Sequence, residues 1–351
     1  MMGGSEEDAA VYDVITLGEA MVRLAAPGFG RLEQATSLEM RPGGAELNVA
    51  VACARLGMKT AWVSRLPDQP LGRFIRNKAR EQGVDTEAIV WGGAAERVGV
   101  YYVEFGAAPR SSSVVYDRAD AAVTRLAPGE VDWAALFAGS RHFHTSGITP
   151  ALSPSLADVT REALEAAKEA GLTTSYDLNY RGKLWSPEEA RRVQEPLMPL
   201  VDVLITTEED TQVVFGISAD GPTDANYEQV EASSYAQVAA QLGERFGHDI
   251  VAITLRSGAS VWFNGWSSLA WQAGKFYTDT VRDLEIVDRF GGGDSFAGGF
   301  IYGLQHYDVG EALRFANAFS ALKHSVPSDF AWVTRAEVEA VLRGDALRVK
   351  R

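Results

Sequence analysis

Three consecutive glycines followed by an acid, Gly291, Gly292, Gly293 and Asp294, open an apolar run of helical period in DRFGGGDSFAGGFIYGL (288–304). Such glycines at a helix start expose backbone N–H groups where the helix carries partial positive charge, an arrangement that attracts phosphate. With a triphosphate tail against that turn, Asp294 is placed to accept the proton of a hydroxyl attacking the γ-phosphate. Asp is equally a favoured helix N-cap, so the segment by itself also admits a purely structural role. No Gly-Lys-Ser/Thr follows the glycines, which excludes a P-loop.

Gly43 and Gly44 precede a second helical run in RPGGAELNVAVACARLG (41–57). They let a ligand approach the backbone closely, and Asn48 on the first turn offers a donor and an acceptor to sugar hydroxyls. An ordinary strand-to-helix turn has the same pattern. In SYDLNYRGKLW, Asp177, Asn179 and Arg181 alternate, so an extended segment points all three to one face. A strand's carboxyl end is where open α/β sheets bind ligands, although surface polarity at a strand exit also fits. Tyr116 and Arg118 in VVYDR share a strand face, where the arginine could pair a carboxylate or phosphate bidentately, or simply be solvated.

These residues need a frame, and the chain supplies apolar β-type runs alternating with helical runs, as in a parallel sheet covered on both faces. Strands are expected at Asp13–Leu17, Ala61–Ser64, His142–Ser146, Thr173–Asn179, Val203–Thr206 and Ile250–Leu255. Val49, Ala52, Cys53 and Leu56 form one helical face closed by Gly57; Leu71, Phe74, Ile75 and Ala79 form another, closed by Gly83. Between about 97 and 126, GVYYVEF and SSVVYDR are aromatic and β-branched with no helix between them, the texture of a hairpin lid. VWFNGWSSLAWQ (261–272) reads as an edge extension, and 219–226 as a Gly/Pro/Asp-rich surface loop.

Of the 351 residues, 46% are apolar and 23% charged, enough for a sizeable core. The net charge of −14 opposes broad attraction to nucleic acid or an anionic membrane, so phosphate must be held by local devices. Cys53 is the single cysteine, which rules out an intramolecular disulfide and points to a reducing compartment. The first ten residues, MMGGSEEDAA, are acidic with no apolar run and read as a loose start rather than a signal peptide. No segment reaches the roughly 18 uninterrupted apolar residues of a membrane helix. A soluble cytoplasmic protein is expected.

GGAELNVAVACARLG and VDRFGGGDSFAGGFIYGL, in that order, resemble the N- and C-terminal signatures of ribokinase-like (phosphofructokinase-B-type) sugar kinases, and the likeness runs from about Asp13 to the C-terminus. GGAELN, YDLNYRGKLWSPEEA, TLRSGAS and KHSVPSDF make it most similar to the 2-keto-3-deoxygluconate kinases of that family. The resemblance implies a three-layer α/β/α doubly wound core in one domain over about 10–347, with a small β-sheet lid from about 20–42 and 97–126. It implies Asp294 as catalytic base and Gly291–Gly293 as the anion hole. Substrate contacts carry over to Gly43, Gly44, Asn48, Tyr101, Tyr116, Arg118, Asn179 and Arg181. Nucleotide contacts carry over to Thr254, Arg256, Gly258 and Asn317. ATP is implied as co-substrate, with Mg2+ held largely through water, and a monovalent cation near the anion hole is admitted. No metal ligand is assigned. A homodimer is expected, since hairpin lids with an aromatic face often pair across a two-fold axis.

Four positions depart from the family pattern. Arg289 stands where a small residue, Pro or Thr is usual, and Gly292 where Ala is common. The Asn-x-x-Glu motif tied to magnesium handling appears as Thr207–Asp210, and TLRSGAS (254–260) replaces the commoner Gly-containing loop. A keto-deoxy acid carries a carboxylate that Arg118 and Arg181 could neutralise, whereas fructose, ribose or a nucleoside carries none. A dinucleotide-dependent oxidoreductase would show G-x-G-x-x-G after the first strand, and LGEAMVRL does not supply it. A non-catalytic sugar sensor would not need an acid at 294.

Overall fold

The structure is a computed structural model and describes residues 11–218, 232–257 and 262–345. The 219–226 stretch and Gly258 lie outside the described residues. The strands are β1 (Val14–Leu17), β2 (Met21–Ala25), β3 (Glu39–Gly43), β4 (Thr60–Pro67), β5 (Val84–Asp85), β6 (Ile89–Gly92), β7 (Val100–Glu104), β8 (Ser113–Asp117), β9 (His142–Ser146), β10 (Thr173–Asp177), β11 (Val203–Thr206), β12 (Ile250–Ser257), β13 (Phe263–Gln272), β14 (Lys275–Thr278) and β15 (Arg282–Glu285). The helices are α1 (Ala45–Arg55), α2 (Pro70–Glu81), α3 (Trp133–Phe137), α4 (Ile148–Ala151), α5 (Pro154–Glu169), α6 (Pro187–Gln194), α7 (Glu208–Phe215), α8 (Ala232–Phe246), α9 (Gly292–His306), α10 (Val309–His324) and α11 (Arg335–Leu342).

Among the described residues an eleven-stranded sheet runs β14-β13-β12-β11-β10-β9-β1-β4-β5, with β15 on β13 and β6 on β4. From β12 to β5 every pairing is parallel. Parallel strands are buried on both faces and therefore read as apolar runs. VITL in β1 and VLIT in β11 are buried at every position. Alternation then sends Ile15 and Leu17 to one layer, with Leu156, Val159 and Leu164 of α5 and Val238 and Leu242 of α8. Val14 goes to the other, with Val49 and Cys53 of α1, Phe296 and Phe300 of α9 and Phe319 of α10. This is the expected ribokinase-like three-layer α/β/α core.

The run read as an edge extension forms β13, which continues the sheet past β12 in antiparallel pairing and carries β14 and β15 on its far side. One local expectation is corrected. β10 stops at Asp177, because Asn179 adopts φ +40° and turns the chain. A separate four-stranded sheet, β3-β2-β7-β8, closes over one end of the core, with Tyr101 opposite Tyr116 in the β7–β8 hairpin.

Helices α1 and α9 lie side by side and run in the same direction, Asn48 level with Asp294 and Ala52 level with Gly298. The approach is close enough that a methyl at Gly298 would lie 2.6 Å from the Ala52 side chain. Gly303 makes a similar close contact with Ala312 of α10. Gly298→Leu is therefore expected to overpack this seam, costing about 1–3 kcal/mol in urea unfolding. It should also lower turnover by displacing Asn48 from Asp294. Unchanged stability and rate would show that the seam has slack.

Candidate active site

The carboxyl ends of the parallel strands and the small sheet enclose a cleft of about 310 Å³. The core and the β3–α1 turn contribute Gly291, Gly292, Gly293 and Asp294, Gly43, Gly44 and Asn48, the Asp177, Asn179 and Arg181 group, and Thr254 and Arg256. Tyr101, Tyr116 and Arg118 line it from the small sheet.

Gly291, rather than Asp294, is the N-cap of α9: its φ is 74°, and a methyl there would overlap the Asp329 carbonyl. Asp294 falls in the first turn with its carboxylate turned across to α1, where Asn48 Nδ2 donates to Oδ2 at 2.6 Å. This geometry excludes the capping alternative. Burial pushes the Asp294 carboxyl up to about 6, against the pull of the Asn48 hydrogen bond and the Arg181 charge. Such a group is ionised at neutral pH yet basic enough to take a proton. A side chain at Gly293 would meet nothing within 4 Å, so its backbone faces open cleft. At Gly292 a methyl would lie 2.5 Å from the His324 ring, which explains glycine at this position.

The glycine pair before α1 is explained by packing against the protein rather than by ligand approach. A Cβ at Gly43 would collide with Tyr101 and Asp329, and one at Gly44 with the Glu19 carbonyl. Asp177, Asn179 and Arg181 do reach the cleft together, but through the left-handed turn at Asn179 and not through strand alternation. Arg118 follows β8 and ion-pairs with buried Glu19, so its charge is largely offset. Arg181 forms no ion pair with a described residue; its Nη1 donates to the Tyr180 carbonyl at 3.1 Å. Asn317 is not brought to the cleft. It is fully buried, accepting from Ser268 Oγ at 2.9 Å and donating to Asp279 at 3.1 Å, so its amide already serves the packing of α10 on β13.

Several residues in or next to the cleft wall were not singled out from the sequence. Arg23 on β2 is buried between two carboxylates, Asp288 at 2.8 Å and Asp329 at 2.6 Å. Although burial alone would weaken its hold on a proton, Asp329 and Asp288 hold the proton more firmly than usual. Tyr101 donates to the other oxygen of Asp329, and buried Lys323 donates to the Asp288 carbonyl at 2.8 Å. Glu46 accepts from Ser146 at 2.6 Å and Thr149 at 2.8 Å, and burial pushes it up to about 7. Asp288, Lys323 and Asp329 stand inside the recognisable segments DRFGGGD and KHSVPSDF; Arg23 and Glu46 carry no comparable signal.

Thr207 caps α7 by accepting from the Asp210 N–H at 3.2 Å, and both residues line the cleft. Burial, then the charges of Asp210 and Asp294, raise Asp177 well above the usual carboxylate range, and burial pushes Asp210 up to about 6. Mutually repelling carboxylates suit a hard cation. No group of three or more His, Cys, Asp or Glu side chains forms a metal cage among the described residues. Among those residues, too, no helix is long and apolar enough to cross a membrane.

Fold and site together define a ribokinase-like phosphotransferase architecture. The chain belongs to the pfkB family of carbohydrate kinases, whose profile matches residues 11–329. It is 44% identical over 335 residues to the 2-dehydro-3-deoxygalactonokinase of Haloferax volcanii, spanning 95% of this chain and 97% of that one. It is 31% identical over 347 residues to the 5-dehydro-2-deoxygluconokinase of Shouchella clausii, spanning 97% and 98%. The crystal structure of 2-dehydro-3-deoxygluconokinase from Thermotoga maritima matches with a TM-score of 0.89 at 41% identity, covering 94% of this chain and 99% of that one.

If Asp294 must be ionised to act, kcat/KM falls as pH drops through about 6. Asn48→Ala removes the hydrogen bond that holds this carboxyl down, so the acid limb should move to higher pH. A pH profile in which the limb stays put would show that another group titrates.

Proposed function

We propose that this chain uses ATP to phosphorylate a 2-keto-3-deoxy sugar acid, converting 2-keto-3-deoxygluconate to 2-keto-3-deoxy-6-phosphogluconate. The observation that carries this reading is the placement of Asp294: a buried carboxylate at the glycine-walled start of α9, in one cleft with Arg181, which forms no ion pair with a described residue. Asp294 takes the proton of the acceptor hydroxyl as its oxygen attacks the γ-phosphorus. The bridging P–O bond breaks, and its electron pair leaves on ADP. The N–H groups of the Gly291–Gly293 turn, backed by the α9 dipole, hold the phosphate oxygens. Mg2+ carried by ATP would be held by Asp177 and Asp210 with water and would offset phosphate charge. Arg181 takes the substrate carboxylate; Arg118, steadied by Glu19, and the tyrosines Tyr101 and Tyr116 orient the sugar.

A second substrate, the 4-epimer 2-keto-3-deoxygalactonate, is favoured by the 44% identity to a kinase named for it. A coupled ADP assay with both epimers, 5-dehydro-2-deoxygluconate, fructose and ribose should show turnover of the keto-deoxy acids first; preference for a neutral sugar would refute the acidic-substrate reading. Asp294→Asn should keep sugar and nucleotide binding while losing about 100-fold or more in kcat. Near-normal turnover would remove the general base.

The same proposal takes the chain to be a homodimer. Leu38, Met40 and Val115 stand exposed on or beside the small sheet and would be covered by a second copy. Sedimentation that finds only monomer at micromolar concentration would remove this part.

A further inference from the structure

We propose that Lys323 is a positioning residue, a built-in cation that braces the glycine turn of α9 from behind, and that this chain therefore takes no monovalent cation there. The inference rests on the kinase reading of the cleft and replaces the ion that the family resemblance admits.

A fully buried lysine is rare unless something answers its charge. Lys323, in the last turn of α10, is wholly enclosed, and its Nζ donates at 2.8 Å to the carbonyl of Asp288, three residues before Gly291. The same end of α10 is fastened to the glycine turn on both sides of this bond. Ser320 Oγ donates to the Gly292 carbonyl at 2.8 Å, and the His324 carbonyl accepts from the Val287 N–H at 2.8 Å and the Asp288 N–H at 3.2 Å. Lys323 does not line the cleft, so it acts on the turn through the backbone that leads into it. Its charge adds to that of the α9 start, on the side from which phosphate oxygens are held.

A hard cation is held by several oxygens at once. The oxygens behind this turn are already engaged by the chain itself. Asp288 Oδ2 and Asp329 Oδ1 take Arg23, and Asp329 Oδ2 accepts from Tyr101. Asp288 Oδ1 accepts the Phe290 N–H at 3.0 Å, and the Gly291 carbonyl accepts Ser295 Oγ at 2.6 Å. A further cation would find no unpaired carboxylate there to offset the loss of its hydration. Burial brings Lys323 down to about 8 against the pull of Asp288 and Asp329, with Arg23 repelling it and Asp294 adding a weaker pull from the cleft side. The ammonium form thus prevails at neutral pH.

The test compares the wild type with Lys323→Met, which keeps much of the bulk without the charge, and Lys323→Ala, which leaves space for an ion. Each is measured in choline chloride, potassium chloride and ammonium chloride at equal ionic strength, by steady-state kinetics and by the unfolding midpoint of the free protein. The wild type should give the same kcat and the same midpoint in all three salts. Both variants should lose about 100-fold in kcat in choline, with KM for the sugar acid little changed. Potassium or ammonium should restore at least tenfold of that loss in Lys323→Ala and raise its midpoint, and should leave Lys323→Met as it was. A wild type activated or stabilised by potassium would overturn the proposal, as would wild-type kcat in Lys323→Met or a loss in Lys323→Ala that neither ion relieves. If the variants fail to fold, the wild-type salt comparison decides alone. Should the wild type phosphorylate no sugar acid, the kinase reading fails, while the midpoints still report whether Lys323 stands in for an ion.

Discussion

Two helix starts have to meet at one point, and most of the molecule is arranged so that they do. The Asn48–Asp294 hydrogen bond joins the first turns of α1 and α9, bringing two positive helix ends to the mouth of the same cleft. That convergence lets a carboxylate be buried without a cationic partner in direct contact. The helix ends and the Asn48 amide meet part of the desolvation cost, and what remains unmet appears as a carboxyl pushed up to about 6. Bulkier residues along the seam would break the register: Gly298 against Ala52 on one side of α9 and Gly303 against Ala312 on the other leave no room for a side chain. The glycines that look like catalytic ornament in α9 are therefore of two kinds, Gly291–Gly293 at the cleft and Gly298, Gly299 and Gly303 in the packing.

The small sheet is tied to this centre by charge. Arg23 from β2 and Tyr101 from β7 both engage Asp329, and Arg23 also engages Asp288, three residues ahead of the glycine turn. Phe105 and Phe290 flank the guanidinium at 5.2 and 4.9 Å. Removing one partner of such a buried pair costs about 3–5 kcal/mol, so the base of the small sheet is held fast. The outer strand β8 is different. Among the described residues it pairs only with β7; it leaves Val115 and Tyr116 exposed, and carries Arg118 just beyond its end. The rim is held instead by the Arg118–Glu19 and Arg97–Asp117 ion pairs.

How much of this was legible in the chain depended on the range of the interaction. Parallel strands announce themselves because burial on both faces makes each a short apolar run, and Gly57, with φ +97°, punctuates α1 as its position suggested. The glycine turns showed in the sequence for the same local reason. Asn317 and Asn179 were misplaced in detail because a side chain's partners, or one left-handed residue, depend on tertiary neighbours. Arg23 was invisible: MVRLA reads as a strand with one solvated cation, and its carboxylate partners lie 265 and 306 residues away. Glu19 and Glu46 hide likewise, since an acid in a first turn or after a strand has an ordinary surface explanation until the sheets close over it.

The charge distribution shows why an acidic protein can still handle polyanions. A net charge of −14 spread over the surface repels a nucleotide at long range, but that repulsion is screened beyond about 8–10 Å at physiological ionic strength. Inside the cleft, screening is weak and the local sources dominate: the amides at the start of α9, Arg181, Arg256 and Arg289, against Asp177, Asp210 and Asp294. Positive and negative groups are thus interleaved within a few residues' reach, which suits a reaction in which a phosphoryl group moves while a proton moves the other way.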